Sequence, residues 1–272
     1  MKKVLSAALV CGLVALSGCK TATGESARYP NVTASGGVGD EQISAKIYRP
    51  EGAGPFPTVI LLHGCNGPGA HMQWWADKIT SWGYAAAVVD SFGPRGQGDL
   101  CQDTHRVGPY KRVFDVFGTV EFLKTQPFVK ADSIGLIGFS HGGWTIMKTV
   151  QRGFNPSKYN IKAAVAFYPY CTPGRDDDVA LPLMVLMGDS DDWTPPANCQ
   201  KLQTSLKTPT LVDMVFLKGA YHAFDYPYPP GGYVVQGVGE GGKITSRRVQ
   251  YDAKAAAEAD ARTKAFFERH LK

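Results

Sequence analysis

"LIGFSHGGWTIM", residues 136–147, places a serine between glycines in an apolar run, and the residues after it keep helical rather than extended spacing. Gly138, Ser140 and Gly142 make the pattern G-x-S-x-G, in which a strand ends, the chain turns sharply on the serine and a helix begins. Small residues at both glycine positions let strand and helix approach closely, so that the hydroxyl stands above the end of a sheet. A Gly-rich turn from strand to helix also suits a phosphate, but the lysine of a P-loop is missing and the glycine spacing fits no dinucleotide fingerprint. On its own the pattern is weak; it needs a base, an acid and an oxyanion hole in the right order along the chain.

The runs on either side supply the sheet. "FPTVILLHG" (56–64), "YAAAVVD" (84–90), "SIGLIGF" (133–139), "KAAVAFYPY" (162–170), "LPLMVLMG" (181–188) and "LVDMVFLKG" (211–219) are continuous apolar stretches of strand length, as in a parallel sheet buried on both faces. "QISAKIYRP" (42–50) alternates like a half-exposed strand. Between these runs lie helical patterns: "HMQWWADKITSWG" with Gly83 as its stop, a helix from about 110 to 125, another from His141 to about 151, one beginning near Pro195, and the alanine-rich "YDAKAAAEADARTKAFFERHL". Such alternation predicts the α/β class: a mostly parallel central sheet with helices on both faces, its functional groups at the carboxyl ends of the strands.

Serine is a weak nucleophile at neutral pH, so a histidine must take its proton and a carboxylate must hold that histidine in one tautomer. Both partners follow the turn in the order serine, acid, histidine. "MGDSDDWTPP" leaves a strand end and offers Asp191, with Asp189 and Asp192 as close competitors. "KGAYHAFD" leaves the last strand and offers His222 among small neighbours. Taken singly, Asp191 as a mere helix cap and His222 as a satisfied surface ring are as good readings; their order and their placement at strand ends favour catalysis. His63 and His141 adjoin the expected site, whereas His71, His105 and His270 have no comparable setting. The backbone N–H groups of His141 and of Cys65, in "LLHGCNG", are the expected oxyanion donors. Trp144 and Trp193 are the expected substrate-binding aromatics, from a set that also holds Phe92, Phe139, Tyr168, Tyr170 and Phe224. Arg95, in "DSFGPRG", is expected to meet a substrate carboxylate, the alternative being that it pairs with Asp90 or Asp99 and holds its loop. The stretch 225–248, rich in Gly, Pro and Tyr, reads equally as a rim or lid and as a plain surface loop.

From about residue 40 the chain resembles the dienelactone hydrolase family of α/β-hydrolases, on "LLHGCNG", "VVDSFGPRG", "GLIGFSHGG", "GDSDDWTP" and "YHAFD". The resemblance implies the α/β-hydrolase fold and attack on esters or lactones without a metal or organic cofactor. The namesake enzymes use a cysteine nucleophile where this chain has Ser140, which shifts the expectation toward general ester hydrolysis by a serine carboxylic-ester (or lactone) hydrolase. Two other readings stand beside it: a peptidase of the same fold, for whose usual extra domain the chain has no room, and a non-catalytic envelope protein that binds or scaffolds.

The first residues, "MKKVLSAALVCGLVALSGCK", show two lysines, an apolar stretch too short for a spanning helix, and small residues before Cys19. "LSGC" resembles a bacterial lipobox, implying a signal peptide over 1–18, lipidation of Cys19 and, with Lys20 following, anchoring at the outer membrane facing the periplasm. A flexible tether over 19–39 and a catalytic domain over 40–272 complete the expected organisation. Loss of Lys2 and Lys3 would lower the net charge from +5 to +3, mild and scattered, which argues against a nucleic-acid partner. The other four cysteines, Cys65, Cys101, Cys171 and Cys199, lack zinc-ligand spacing and are expected as disulfides in an exported chain. Of the three possible pairings, Cys65 with Cys101 and Cys171 with Cys199 is favoured, because each pair joins loops leaving the same end of the sheet.

Overall fold

The computed structural model describes residues 24–227, 229 and 231–272, so the expected signal peptide and Cys19 lie outside the described residues. The apolar runs become β3 (Phe56–Leu62), β4 (Ala85–Asp90), β5 (Val129–Phe139), β6 (Ile161–Phe167), β7 (Leu183–Gly188) and β8 (Val212–Leu217). They pair in parallel in the order β4-β3-β5-β6-β7-β8. Every residue of β7 is buried, as a strand covered on both faces requires. The antiparallel strands β1 (Glu25–Val32) and β2 (Val38–Tyr48) extend the β4 edge, giving eight strands in the described sheet.

Helices cover both faces. Gly135 and Gly138 of β5 point to opposite sides by the two-residue period of a strand. A Cβ on Gly135 would meet Leu271 and Phe267 of α5 (Ala253–Leu271), whereas one on Gly138 would meet Ile146 of α3 (His141–Thr149). On the α5 side lies α1 (Ala70–Ser81), tied to α5 by a Lys78–Asp260 ion pair; on the α3 side lies α2 (Pro109–Lys124). The side chain of Asp252 caps α5, accepting from Lys254 N and Ala255 N at 2.9 Å each. Between β7 and β8 runs α4 (Pro196–Ser205). The mostly parallel α/β sheet with helices on both faces, expected from the strand and helix pattern, is the architecture observed.

One expectation is corrected here. Residues 25–32, read as part of a tether, form β1, and the folded unit therefore includes the chain from Glu25 onward. Local polarity hid this strand: it pairs with the neighbouring β2, but the residues that bury Tyr29 lie far along the chain on α2. Tyr29 stacks on Phe122 of α2 at 4.4 Å and its hydroxyl donates to Thr119 Oγ1 at 3.0 Å. Gly118 of α2 admits the approach, since a Cβ there would fall 2.7 Å from Asn31 Cα.

The stretch 225–248 is neither a bare loop nor detached from the body. It holds a hairpin of β9 (Tyr233–Val238) and β10 (Ile244–Val249), docked by Val238 N on Cys101 O (2.9 Å) and by Trp193 Nε1 on Val238 O (3.0 Å). The disulfides are Cys65–Cys101 and Cys171–Cys199, the favoured pairing.

Candidate active site

Ser140 ends β5 and precedes the first residue of α3 with φ 53° and ψ −113°, a left-handed backbone that a side-chain-bearing residue adopts only under strain. The neighbouring glycines permit it. A Cβ on Gly142 would come 2.1 Å from the Leu62 carbonyl oxygen, and one on Gly138 2.4 Å from the Gly142 carbonyl oxygen. Ser140 N donates to Phe167 O at 3.0 Å, which ties the turn to the end of β6.

His222, in the loop after β8, brings Nε2 to 2.9 Å from Ser140 Oγ and Nδ1 to 2.7 Å from Asp191 Oδ2. With Nδ1–H donating to the carboxylate, Nε2 is left as acceptor for the serine hydroxyl. Ala223, next along, has φ 55°, and the left-handed turn directs the ring back over the sheet. Asp191 is buried and its carboxylate is fully engaged: Oδ1 accepts from Trp193 N (2.8 Å) and Thr194 N (2.9 Å), and the Thr194 hydroxyl lies 2.9 Å from Oδ2. Its competitors are committed elsewhere, Asp189 Oδ1 to Gly219 N at 2.6 Å and Asp192 Oδ1 to Arg248 N at 3.0 Å. The three expected residues are thus brought together in one hydrogen-bonded chain.

Two cavities meet at Ser140. The first, about 460 Å³, has Gly64, Cys65, His71, Tyr168, His222 and Tyr233 in its wall; the second, about 380 Å³, has His141, Trp144, Tyr170 and Arg175, and Cys65 and Trp193 border both. Cys65, Ser140 and His141 share the second cavity, which brings both expected oxyanion residues to the serine. The hairpin β9–β10 walls both cavities. Of the seven aromatics considered from sequence, Phe92 and Phe224 line neither cavity and are buried.

Arg95 is placed differently from the expectation of substrate contact. Its guanidinium bonds both oxygens of the buried Asp115 at 2.7 and 2.8 Å, Glu41 Oε2 at 2.7 and 3.0 Å, and Ser91 O at 2.6 Å, and it lines neither cavity. The planar fork is used up by β2, α2 and its own loop; the partners are Glu41 and Asp115 rather than Asp90 or Asp99. Arg95→Met therefore leaves Asp115 buried without its cation and is expected to lower unfolding stability by about 3 kcal/mol in urea titrations. Activity on acidic and neutral esters should fall together as the protein loosens. A selective rise in KM for acidic esters at unchanged stability would contradict this placement.

Sequence reading passed over a second buried cluster. Asp225 is fully buried and accepts from His71 Nε2 (2.6 Å), Trp75 Nε1 (2.7 Å) and the Tyr168 hydroxyl (2.7 Å). Burial alone raises a carboxyl pKa, but the electrostatic pull of His71 and the hydrogen bonds from His71, Trp75 and Tyr168 outweigh it and hold Asp225 below the usual carboxylate range. Tyr168, pushed well above an ordinary phenol by burial and then by Asp225, also packs its ring 4.6 Å from that of His222. The missed signal was "YHAFD" itself, whose aspartate anchors the loop carrying His222. Thr194, beside Asp191, was likewise unread, as was Arg112, fully buried on α2.

Comparison with known proteins agrees with this fold. A protein of Synechocystis sp. (strain ATCC 27184 / PCC 6803 / Kazusa), named "Putative carboxymethylenebutenolidase", is 24% identical over 256 residues, covering 85% of this chain and 93% of that one. The crystal structure of a dienelactone hydrolase-like promiscuous phosphotriesterase from metagenomic libraries superposes with a TM-score of 0.66 at 18% identity, covering 92% of this chain and all of that one. Dipeptidyl peptidase 4 of Porphyromonas gingivalis shares the fold with a TM-score of 0.64 at 17% identity, but this chain spans only 36% of it. The pattern of the dienelactone hydrolase family matches residues 43–271, from β2 to the last turn of α5. With that match laid over the strained serine turn and the parallel sheet, the chain belongs to the dienelactone hydrolase family and is a hydrolase.

Proposed function

We propose that the protein is a serine carboxylic-ester or lactone hydrolase working through Ser140, His222 and Asp191. The observation that carries this reading is the unbroken chain Ser140 Oγ–His222 Nε2 (2.9 Å) and His222 Nδ1–Asp191 Oδ2 (2.7 Å) at the junction of two cavities. Ser140 Oγ attacks the ester carbonyl as its proton passes to His222 Nε2, and Asp191 holds the resulting imidazolium. The carbonyl oxygen becomes an oxyanion facing the N–H groups of Cys65 and His141. Collapse expels the alcohol, which takes the proton from His222, and leaves an acyl-Ser140. Water, deprotonated by His222, then attacks the acyl carbon, and the acid departs as Ser140 Oγ regains the proton.

The leaving oxygen must sit beside His222, which lines the first cavity and not the second. The alcohol half of the substrate accordingly belongs in the first cavity and the acyl half in the second. A relative named for a butenolide, a cyclic ester, supports lactones within the same range. Labelling by a fluorophosphonate probe tests the reading: wild type should react at Ser140, and a chain that hydrolyses short p-nitrophenyl esters without labelling there would overturn it.

Export and anchoring through a lipid on Cys19, at the outer membrane facing the periplasm, belong to the same proposal. Two disulfides support an oxidising compartment. Radiolabelled palmitate should enter the wild-type precursor in bacterial cells and be lost in Cys19→Ser; incorporation by that variant would remove the anchor from the proposal.

A further inference from the structure

Arg112 is a guanidinium on α2 with no exposed surface, reaching the loop after β3 and the first residue of α3. Its Nη1 donates to the His63 carbonyl at 3.0 Å and to His141 Nδ1 at 2.7 Å. Among the described residues no carboxylate forms an ion pair with it, and its Nε and Nη2 have no acceptor. Burial draws its pKa down to about 9, with the field of Asp115 opposing, so the side chain is still a cation at neutral pH. The neighbouring rings are neutral. Burial, and then Arg112, bring the pKa of His141 down to about 3, and the same two causes hold His63 well below an ordinary imidazole. His141 is thereby fixed in one tautomer, Nδ1 accepting from Arg112 and Nε2–H donating to Thr104 O at 2.8 Å. His63 uses its own ring locally, Nδ1–H donating to Gly64 O at 2.7 Å. Phe92 packs against both rings, at 4.5 Å from that of His63 and 5.9 Å from that of His141, and lies 5.2 Å below the guanidinium carbon.

A buried cation with no carboxylate in contact, offset only by the fields of Asp115 and Asp90, carries a cost that packing alone does not repay. What Arg112 touches shows where a compensating charge arises. The His63 carbonyl is the hinge of the Gly64–Cys65 turn, and the His141 ring belongs to the residue that follows Ser140. These two segments carry the N–H groups assigned to the oxyanion. We infer that Arg112 is a positioning residue for the oxyanion hole, a buried cation that clamps both backbone donors and whose unpaired charge is answered when the tetrahedral oxyanion forms. The inference rests on the reading of Ser140 as the nucleophile. Both acceptors are met by the one nitrogen, Nη1, so a single pair of N–H groups joins the two segments.

Three measurements on Arg112→Met and Arg112→Lys test it: kcat and KM on p-nitrophenyl butyrate, Kd for phenylboronic acid, whose serine adduct is a tetrahedral anion, and thermal melting. Arg112→Met should lower kcat on the order of 10²-fold, the scale of losing one oxyanion donor, with KM nearly unchanged. Phenylboronic acid should weaken by a similar factor, and Arg112→Lys should recover part of both losses. A folded Arg112→Met with wild-type kcat and boronate affinity, or a loss carried wholly by KM, overturns the inference. Should Arg112→Met fail to fold, His141→Leu removes one of the two clamped acceptors while leaving the α3 backbone. It should shift kcat and boronate affinity in the same direction, and unchanged values would overturn the role of Arg112. Wild type that binds no boronate and hydrolyses no ester would overturn the reading of Ser140 and this inference with it.

Discussion

Ser140→Ala should lower kcat toward p-nitrophenyl esters on the order of 10⁶-fold, because removal of the nucleophile from a serine triad costs about as much as removal of all three members. The folded state should be nearly untouched. The Ser140 hydroxyl's one described contact is with His222, and the φ of 53° that strains a serine strains alanine equally. No thiol in the cavity wall is available to substitute, since Cys65 and Cys101 are joined to each other. Steady-state kinetics and fluorophosphonate labelling of both proteins at matched concentration check this. Residual labelling of the alanine variant, or a loss below about 10³-fold, would place the chemistry elsewhere.

Asp191→Asn should cost on the order of 10⁴-fold in kcat, as an amide at this position leaves His222 in the wrong tautomer. The control lies in the same turn. Asp189→Asn and Asp192→Asn alter side chains bonded to Gly219 N and Arg248 N, outside the chain that reaches Ser140. Their effect on kcat should stay within about tenfold, since neither touches the histidine that carries the proton. Equal losses across the three variants would dissolve the assignment of Asp191. Thr194 sharpens the contrast: its amide and hydroxyl both bond Asp191, so the asparagine must also turn its NH₂ toward a donor.

The parts of the site legible in the sequence were those whose cause is local. The run 133–139 is apolar because β5 is buried on both faces, and the glycines at 138 and 142 are required by backbone contacts within a few residues of the serine turn or at the strand beside it. Asp191 and His222 were found because each follows a strand end, and the topology of a parallel sheet gathers such ends at one rim. What escaped depends on partners far along the chain. Tyr29 anchors the edge strand β1 through Phe122 and Thr119, neither of which marks residues 25–32 as extended. Arg95, whose loop leaves the catalytic end of β4, reads from sequence either as a substrate contact or as a brace for that loop; the acids it meets, Glu41 and Asp115, lie 54 and 20 positions away. His71 and Asp225 lie 154 positions apart, and a histidine alone in a helix start gives no hint of a carboxylate waiting there.

The hairpin β9–β10 leaves and rejoins the body at nearly one place. Gln250 N donates to His222 O at 3.0 Å, Asp252 N donates to Phe224 O at 3.0 Å, and Val249 forms a bridge with His222. The segment between those staples contributes wall to both cavities but no member of the hydrogen-bonded chain from Ser140 to Asp191. Part of the cavity wall is therefore separable from the hydrogen-bonded Ser140–His222–Asp191 chain. With its ends clamped side by side, the hairpin tolerates changes of length at its turn, between β9 and β10, at little entropic cost, and such changes leave the sheet, the serine turn and the Asp225 anchor of the histidine loop in place. In engineering terms it is a wall panel, the part of the molecule whose redesign changes the shape of both cavities around an unchanged serine turn.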